Sequence, residues 1–351
     1  MRGLPLHRKL LKARYDSGEL VRASPPADAK RQRVVDDSTS RRPAPAETAR
    51  FLRMLKTREQ IRLAKAAGAP WPWSDDDVLN RHKFTNVKRE NDRTTAWLRA
   101  NWTAKHGNAD AATVLFNCGV FRVFGTVAFA EQTGWTADVS AWDPRMERSN
   151  AVACWNAGLH AFTSAYNRIR FNAERSRLPL DVYEKELSTL EGLRRAVDDI
   201  VATSAGGGRL SWRAVCTRLR RVTGFGGSGF MAKEVLLDAM GWPSMRRLVR
   251  DEGDWTPPGP GARRGLNRLY GRPRDMGANA TGDSALETSF VCEMRLLLRT
   301  LRSLDPEFCK SVDLNIHDVQ FQLCEYDKYR RVEDGGHTRP YPTPVDHARL
   351  I

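Results

Sequence analysis

Cysteine is scarce in this sequence and never paired. The six cysteines stand singly at Cys118, Cys154, Cys216, Cys292, Cys309 and Cys324, with no C-x-x-C pair and no cluster with histidine. Zinc sites and disulfide frameworks both need closely spaced cysteines or histidines. The spacing therefore excludes those two classes, and it predicts reduced, mostly buried cysteines and no bound metal.

Long apolar runs are also missing. No uncharged apolar stretch approaches the roughly 18–20 residues that span a bilayer. Residues 1–35 contain no apolar segment of the length that a secretory signal requires. We therefore expect a cytoplasmic protein with no membrane partner.

The sequence has no recognisable nucleotide-binding motif. The P-loop pattern G-x-x-x-x-G-K-[ST] fails because Lys233 is followed by Glu234. "GFGGSG" at 224–229 matches G-x-G-x-x-G, but a dinucleotide site needs a strand before that loop. The preceding residues 211–222 instead have apolar positions at helical spacing, so we predict no ATP, NAD or other cofactor.

Positive charge, in contrast, is abundant. The chain has 57 Lys and Arg against 42 Asp and Glu, a net charge of +15, and a pI near 9.9. Such an excess usually marks a polyanionic partner, most often nucleic acid. The alternatives are an arginine bias from a GC-rich genome, or a basic tail on a neutral enzyme.

Apolar spacing is helical over most of the chain and predicts an all-α fold, or nearly so. Residues 1–50 are basic, carry five prolines and show little periodicity, which predicts a flexible arm. Residues 51–351 are expected to form one helical DNA-modifying domain. Helices are predicted within 46–68, 77–102, 110–134, 147–171, 179–204, 211–222, 284–304 and 312–331, with a Gly/Pro-rich loop at 251–283.

The glycine loop fits a helix-hairpin-helix at 211–241. In that motif glycines turn the chain, and free backbone N–H groups at the start of the next helix hold a DNA phosphate. The alternative is an ordinary helix–helix turn that needs glycine for positive φ. The predicted DNA contacts are Gly224, Gly226, Gly227, Gly229 and Lys233.

DNA glycosylases form one superfamily with this motif, and some of them carry a lysine in the hairpin and an aspartate about one loop later. Aligned on that arrangement, Phe230 or Met231 stands at the lysine position, and Asp251 or Asp254 lies near the aspartate position. The resemblance implies a glycosylase-like helical architecture with changed chemistry.

Three stretches resemble one specific family: "KFTNVKRENDRTTAWL" (83–98), "GPGARRGLNRL" (259–269) and "DVQFQLCEYDKYRR" (318–331). They are similar to the phage α-glutamyl/putrescinyl thymine pyrophosphorylases, also described as amino acid:DNA transferases. That family shares a helical domain named after 5-hydroxymethyluracil DNA kinases. The resemblance covers about 70–351.

This resemblance implies a role in thymidine hypermodification of phage DNA, in the cytoplasm of the host. A separate P-loop kinase first phosphorylates 5-hydroxymethyluracil in double-stranded DNA. The transferase then replaces the phosphate of 5-phosphomethyl-deoxyuridine with an amino acid or polyamine, glycine being slightly favoured. The missing P-loop independently favours a transferase over a kinase.

Such a reaction needs a base moved out of the stack, a phosphate site, and a general base that keeps the incoming amine unprotonated. On a helix, Asn86, Arg89 and Arg93 would form one polar stripe, with Lys83 just before it. Arginine suits phosphate because its planar fork donates two hydrogen bonds. The alternative is a solvated charged face with local ion pairs.

Two further groups are candidates for substrate binding. Asn117 and Arg122 lie within an otherwise apolar helix, so they either line the site or satisfy a structural network. Arg263, Arg264 and Asn267 follow glycines that let the backbone approach a ligand. The alternative for these three residues is a surface loop that carries basic side chains without a binding role.

Glu325 is the preferred general base or ammonium ligand, with Asp327 and Lys328 beside it as catalytic candidates. Asp254, near the hairpin, is the fourth. A structural alternative pairs Asp327 with Arg331 at i, i+4. Cys324 could in principle add to C6 of the uracil, although direct displacement needs no covalent step.

Two other functions remain open. One is a DNA glycosylase-like enzyme that excises a modified base. The other is a non-catalytic DNA-binding component of a modification complex, for which salt-sensitive binding is expected.

Overall fold

The computed structural model describes residues 42–163, 180–205 and 208–336, with side chains at 188–204 of the middle range. In these ranges the regular secondary structure is nearly all α-helical, which confirms the predicted class. The only strands among the described residues are β1 (Leu210–Ser211) and β2 (Val249–Arg250), which pair in parallel with Leu210 opposite Val249.

The α-helices of the described ranges lie between short turns and loops. They are α1 (Pro45–Ala66), α2 (Asp77–Arg81), α3 (Arg93–Leu98), α4 (Ala111–Phe124), α5 (Val127–Thr133), α6 (Pro144–Asn156), α7 (Leu180–Ala205), α8 (Trp212–Leu219), α9 (Phe230–Ala239), α10 (Pro243–Leu248), α11 (Pro260–Leu269), α12 (Ser284–Leu304), α13 (Pro306–Ser311) and α14 (Ile316–Glu333).

Helix α1 begins at Pro45, within the predicted arm. Proline at the first turn of α1 fixes φ without losing a hydrogen bond, and the N–H of Ala44 donates to the carbonyl of Leu269 at 2.8 Å. Residues 1–41 of the predicted arm lie outside the described residues. The helix predicted at 147–171 ends at Asn156, as α6, and residues 164–171 of that range also lie outside the described residues.

The predicted continuous helix at 77–102 is wrong. After α2 the chain is extended, forms a 3₁₀ turn at Arg89–Asn91, and becomes helical again at α3. Asp92 accepts hydrogen bonds from the N–H groups of Thr94 and Thr95 and so caps a new helix. Asn86, Arg89 and Arg93 therefore do not form one helical stripe.

The predicted loop at 251–283 contains α11. Pro260 begins it, and Ala262, Leu266 and Leu269 are buried at helical spacing. Gly261 and Gly265 face α14 so closely that a Cβ on Gly265 would lie 2.2 Å from the carbonyl oxygen of Leu323. The glycines in this segment thus allow two helices to pack, which periodicity alone did not reveal.

The helix predicted at 110–134 is divided at Gly125, which has a positive φ, into α4 and α5. The apolar helix α4 lies at the centre. Every residue from Thr113 to Phe124 is buried. Leu193 of α7 packs against Gly119, where a Cβ would lie 2.0 Å from its Cδ2, and α9 also packs on α4.

The cysteines are free, and Cys118, Cys154, Cys216 and Cys309 are buried, while Cys292 is exposed. No helix of the described ranges combines the length and apolarity needed to cross a membrane.

Candidate functional site

The three stretches that carry the family resemblance meet around α14. The loop at 83–89 runs along this helix, where Glu325 Oε2 accepts from the N–H of Thr85 at 3.2 Å. Gln322 Nε2 donates to the carbonyl of Asn86 at 2.8 Å. Helix α11 packs on the same helix, as described above. The tertiary fold therefore brings together residues that are far apart in the chain.

Four of the predicted site residues gather at this junction. Lys328 Nζ lies 3.1 Å from Glu325 Oε2, contacts the carbonyl of Lys83, and stands 4.3 Å from the ring centre of Phe84. Asn86 Oδ1 accepts from Arg58 Nη2 at 2.8 Å. These contacts hold the loop on α14, and the catalytic role of Glu325 and Lys328 stays a prediction.

Arg89 and Arg122 are buried in an ion cluster. Their guanidinium groups donate to Asp238 Oδ1 at 2.7 and 2.8 Å, and Arg89 Nε lies 3.0 Å from Glu234 Oε2. Burial opposes ionisation of Asp238, but Arg122 and Arg89 outweigh it and lower its pKa to about 2. Both arginines are therefore engaged by carboxylates inside the fold, which supports the structural alternative for Arg122.

Lys233 does not reach a surface that DNA can contact. Its side chain has 0% exposure, and Nζ lies 3.2 Å from Glu234 Oε1 and 3.5 Å from the ring centre of Phe321. It also contacts Gln320 Oε1, and burial lowers its pKa. The predicted DNA contact of Lys233 is thus incompatible with its position.

The predicted residues of α11 hold the loop that follows. Arg263 donates to the carbonyls of Pro258 and Ala280, both at 2.8 Å. Arg264 Nε lies 2.7 Å from Asp275 Oδ1, and Asn267 Nδ2 donates to the carbonyls of Arg274 and Met276. These groups are engaged within the chain, which favours a structural role.

The remaining predicted residues are apart from this junction or engaged elsewhere. Asp327 accepts from Arg268 and Arg274 rather than Arg331, both at 2.9 Å. Asn117 bridges α4 to the carbonyl of Thr136 at 2.9 Å. Arg93 is exposed at the start of α3.

The glycine hairpin joins α8 to α9 with three glycines at positive φ, namely Gly224, Gly226 and Gly229. At Gly229 a Cβ would also lie 2.8 Å from Pro257. Arg220 supports the hairpin, since its Nη2 donates to the carbonyl of Gly227 at 2.7 Å and its Nη1 lies 3.1 Å from Glu287 Oε2. A turn that needs glycine is therefore present, and its binding of DNA stays a prediction.

A cleft of about 270 Å³ opens at the start of α8, and we call it the Asp254 cleft. Helix α12 forms one wall, and the turn after β2 and the start of α8 form the others. Arg220 connects the hairpin to Glu287 of α12, and the next turns of that helix face the cleft. Its lining residues are Ser211, Arg213, Asp251, Asp254, Trp255, Thr288, Val291, Cys292 and Arg295.

The Asp254 cleft combines cationic and anionic groups. Arg213 stands 5.8 Å from the ring centre of Trp255, and Arg295 contacts the carbonyl of Asp254. The indole N–H of Trp255 is buried and has no acceptor among the described residues. Two guanidinium groups can bind an anion such as phosphate, and the carboxylates of Asp251 and Asp254 can bind or deprotonate an amine.

Sequence reasoning identified Asp254 and named Asp251, but missed Arg213, Trp255 and Arg295. Both arginines are ordinary polar positions of amphipathic helices, so their spacing carries no signal. Within the described ranges, no group of three or more His, Cys, Asp or Glu side chains is arranged to hold a metal ion.

Comparison with known proteins gives a family match over most of the chain. The family described as "5-hmdU DNA kinase, helical domain" matches residues 46–337. A 5-hmdU DNA kinase of Bacillus phage SP10 is 25% identical over 276 residues, which cover 75% of this chain and 41% of that protein. The chain thus matches about two fifths of its relative's length. No solved structure matches with significance.

Proposed function

This chain belongs to the family of the 5-hmdU DNA kinase helical domain, and from that premise we propose that it modifies thymidine-derived bases in phage DNA. Specifically, we propose an amino acid:DNA transferase that replaces the phosphate of 5-phosphomethyl-deoxyuridine with an amino acid or polyamine. A separate kinase would supply this substrate. The missing P-loop supports transfer rather than phosphorylation, because the chain has no motif for holding a nucleoside triphosphate.

The observation that carries the proposal is the Asp254 cleft, where two arginines and two carboxylates line one cavity. Arginine is suited to a dianionic leaving group because it donates paired hydrogen bonds and stays charged. The same cleft offers a carboxylate to the incoming amine. A duplex held at the hairpin would present a flipped base to both sets of groups.

In the proposed step the neutral amine nitrogen attacks the 5-methylene carbon of the base. A C–N bond forms while the C–O bond to phosphate breaks, and the bonding pair leaves with inorganic phosphate. Arg295 stabilises the departing phosphate, and Asp254 accepts the proton that the new ammonium group loses. No oxidant or reductant is required.

The test is to incubate the protein with duplex DNA containing 5-phosphomethyl-deoxyuridine and, separately, glycine, glutamate or putrescine. The digested DNA is then analysed by mass spectrometry, and we expect an aminated nucleoside with at least one amine. Folded protein that yields no such nucleoside with any amine would contradict the proposal. Release of free base with abasic sites would instead favour the glycosylase-like alternative.

Variants locate the catalytic carboxylate. Asp254→Asn should lower the transfer rate by about 10²-fold or more, the usual contribution of a general base. Glu325→Gln tests the rival position on α14. Arg295→Ala should impair transfer, whereas Arg299→Ala, exposed on the same helix and outside the cleft, is its matched control. A loss with Glu325→Gln alone would move the site to the α14 junction.

A further inference from the structure

A shallow groove of about 530 Å³ runs along the exposed side of α8 toward the glycine hairpin. It shares Ser211 and Arg213 with the Asp254 cleft, so the two are continuous. Its other lining residues are Asp199, Ala214, Thr217, Arg218 and Arg221. We infer that this α8 groove binds the phosphate backbone of duplex DNA next to the base that enters the cleft. The inference rests on the proposed function for the identity of the partner.

The charge of the α8 groove is available to a ligand. Arg213 and Arg221 are exposed, and neither forms an ion pair with any residue that the structure describes. Arg218, in contrast, lies 3.1 Å from Asp199 Oδ2. The carboxylate of Asp199 is thereby paired within the groove, which leaves two unpaired arginines to attract an anion.

The spacing of these arginines suits an extended polyanion. Arg213 and Thr217 lie one turn apart on α8, and Arg221 stands in the turn that follows the end of this helix at Leu219. All three line the groove, with Arg213 at the start of α8 and Arg221 beyond its end. They can thus contact different phosphates, which a small anion could not satisfy together.

Gly227 gives an independent reason to expect a close backbone contact. It is exposed, it does not have a positive φ, and a Cβ added there would meet no atom within 4 Å. Gly229, by comparison, is required by both its φ and its contact with Pro257. Among the described residues nothing explains glycine at 227, whereas a phosphate close to the main chain would.

Arg221 and Gly227 lie at the hairpin end of the groove, and Arg213 lies at the rim of the cleft. A single DNA strand bound along this line would reach both. Phosphate contacts of this kind set the position of a protein on DNA without reading its sequence. The α8 groove would therefore place a nucleotide for entry into the cleft.

The experiment measures binding of unmodified duplex DNA, where no chemistry occurs, by fluorescence anisotropy between 50 and 200 mM salt. The double variant Arg213→Ala/Arg221→Ala should bind more weakly, and its slope of log K against log[salt] should be shallower by about 2. Arg213→Lys/Arg221→Lys should keep most of the slope because it keeps both charges. Gly227→Ala should weaken binding without changing Tm.

The matched control is Arg53→Ala/Arg148→Ala, which removes the same charge from exposed positions on α1 and α6. An unchanged slope in the groove variant, or an equal change in the control, would overturn the inference. Thermal melting verifies that each variant is folded. If the groove variant changes the salt slope but the protein forms no aminated nucleoside, the proposed function is rejected and the groove inference stands. If the protein transfers an amine but the groove variant leaves the slope unchanged, only the groove inference is rejected.

Discussion

Asp238 has no exposed surface, yet it carries a full negative charge between Arg89 and Arg122. Removing water from an ion costs several kcal/mol, and only close countercharges with good hydrogen bonds offset that cost. Arg89 and Arg122, which the sequence analysis predicted to bind phosphate, are engaged by these contacts. Among single residues, burial thus determines which charges remain available to a substrate.

His317 should make folding stability depend on pH. Burial and the charge of Lys233 lower its pKa to about 3 from 6.5, and its Nε2 lies 2.9 Å from the carbonyl oxygen of Glu252. The unfolded chain therefore binds the proton first as pH falls. The contribution of neutral His317 to the free energy of unfolding is fully present above pH 6.5. Below that pH it declines by about 1.4 kcal/mol per pH unit, toward pH 3.

This dependence can be measured by urea unfolding at pH 7 and pH 5. The wild-type protein should lose more stability between these two pH values than His317→Gln, since the variant has no imidazole to protonate. Comparing the losses removes the contribution of the other titrating groups. Equal losses in the two proteins would show that His317 does not cause the effect.

At the scale of elements, α11 packs closely on α14, and both helices carry resemblance stretches. Gly265 lies against the main chain at Leu323, and Gly261 lies against Cys324, where a Cβ would be 2.9 Å from Sγ. A main-chain neighbour cannot move aside as a flexible side chain can. The position of α14, and with it the loop at 83–89, therefore depends on two glycines.

Gly265→Ala should destabilise the protein by about 1–3 kcal/mol, the usual cost of overpacking. Gly192→Ala on α7 is the matched control, because its Cβ would lie at an ordinary 3.6 Å from Val222. It should stabilise by about 0.5–1 kcal/mol through better helix propensity. Urea midpoints measure both changes, and a neutral Gly265→Ala would contradict the tight packing.

At the scale of the whole molecule, positive charge is divided between the terminal segment and the helical body. Residues 1–41 contain ten Lys and Arg against five Asp and Glu. The rest of the chain carries the larger part of the net charge of +15. Both parts should therefore contribute to non-specific attraction of DNA.

The contribution of the terminal segment to DNA binding can be tested by deleting residues 1–41. DNA affinity should fall and its salt slope should become shallower, since five net positive charges are lost. Salt-dependent binding should persist through the α8 groove. Anisotropy titrations of both lengths test this, and complete loss of binding would assign the interface to the terminal segment instead.

Prediction from sequence succeeded where apolar spacing was regular, as in α12 and α14, whereas Gly125 divides the helix predicted at 110–134. It failed at 77–102, where Asp92 caps a new helix and Arg58 Nε donates to the carbonyl of Thr85 at 3.1 Å. It also missed α11, because its glycines are typical of a loop. The structure shows that they allow α11 to pack against α14. Local propensity is a weak signal wherever a distant side chain satisfies the main chain.

The sequence by itself determined the helical class, the excess of positive charge, the absence of a P-loop and the family resemblance, because each depends on composition or local order. Only the tertiary structure decided which arginines are buried with Asp238 and which remain exposed along α8. It also brought Arg213, Asp254 and Arg295 to one cleft. The reason is that burial and proximity between distant residues arise from helix packing, which no local spacing encodes.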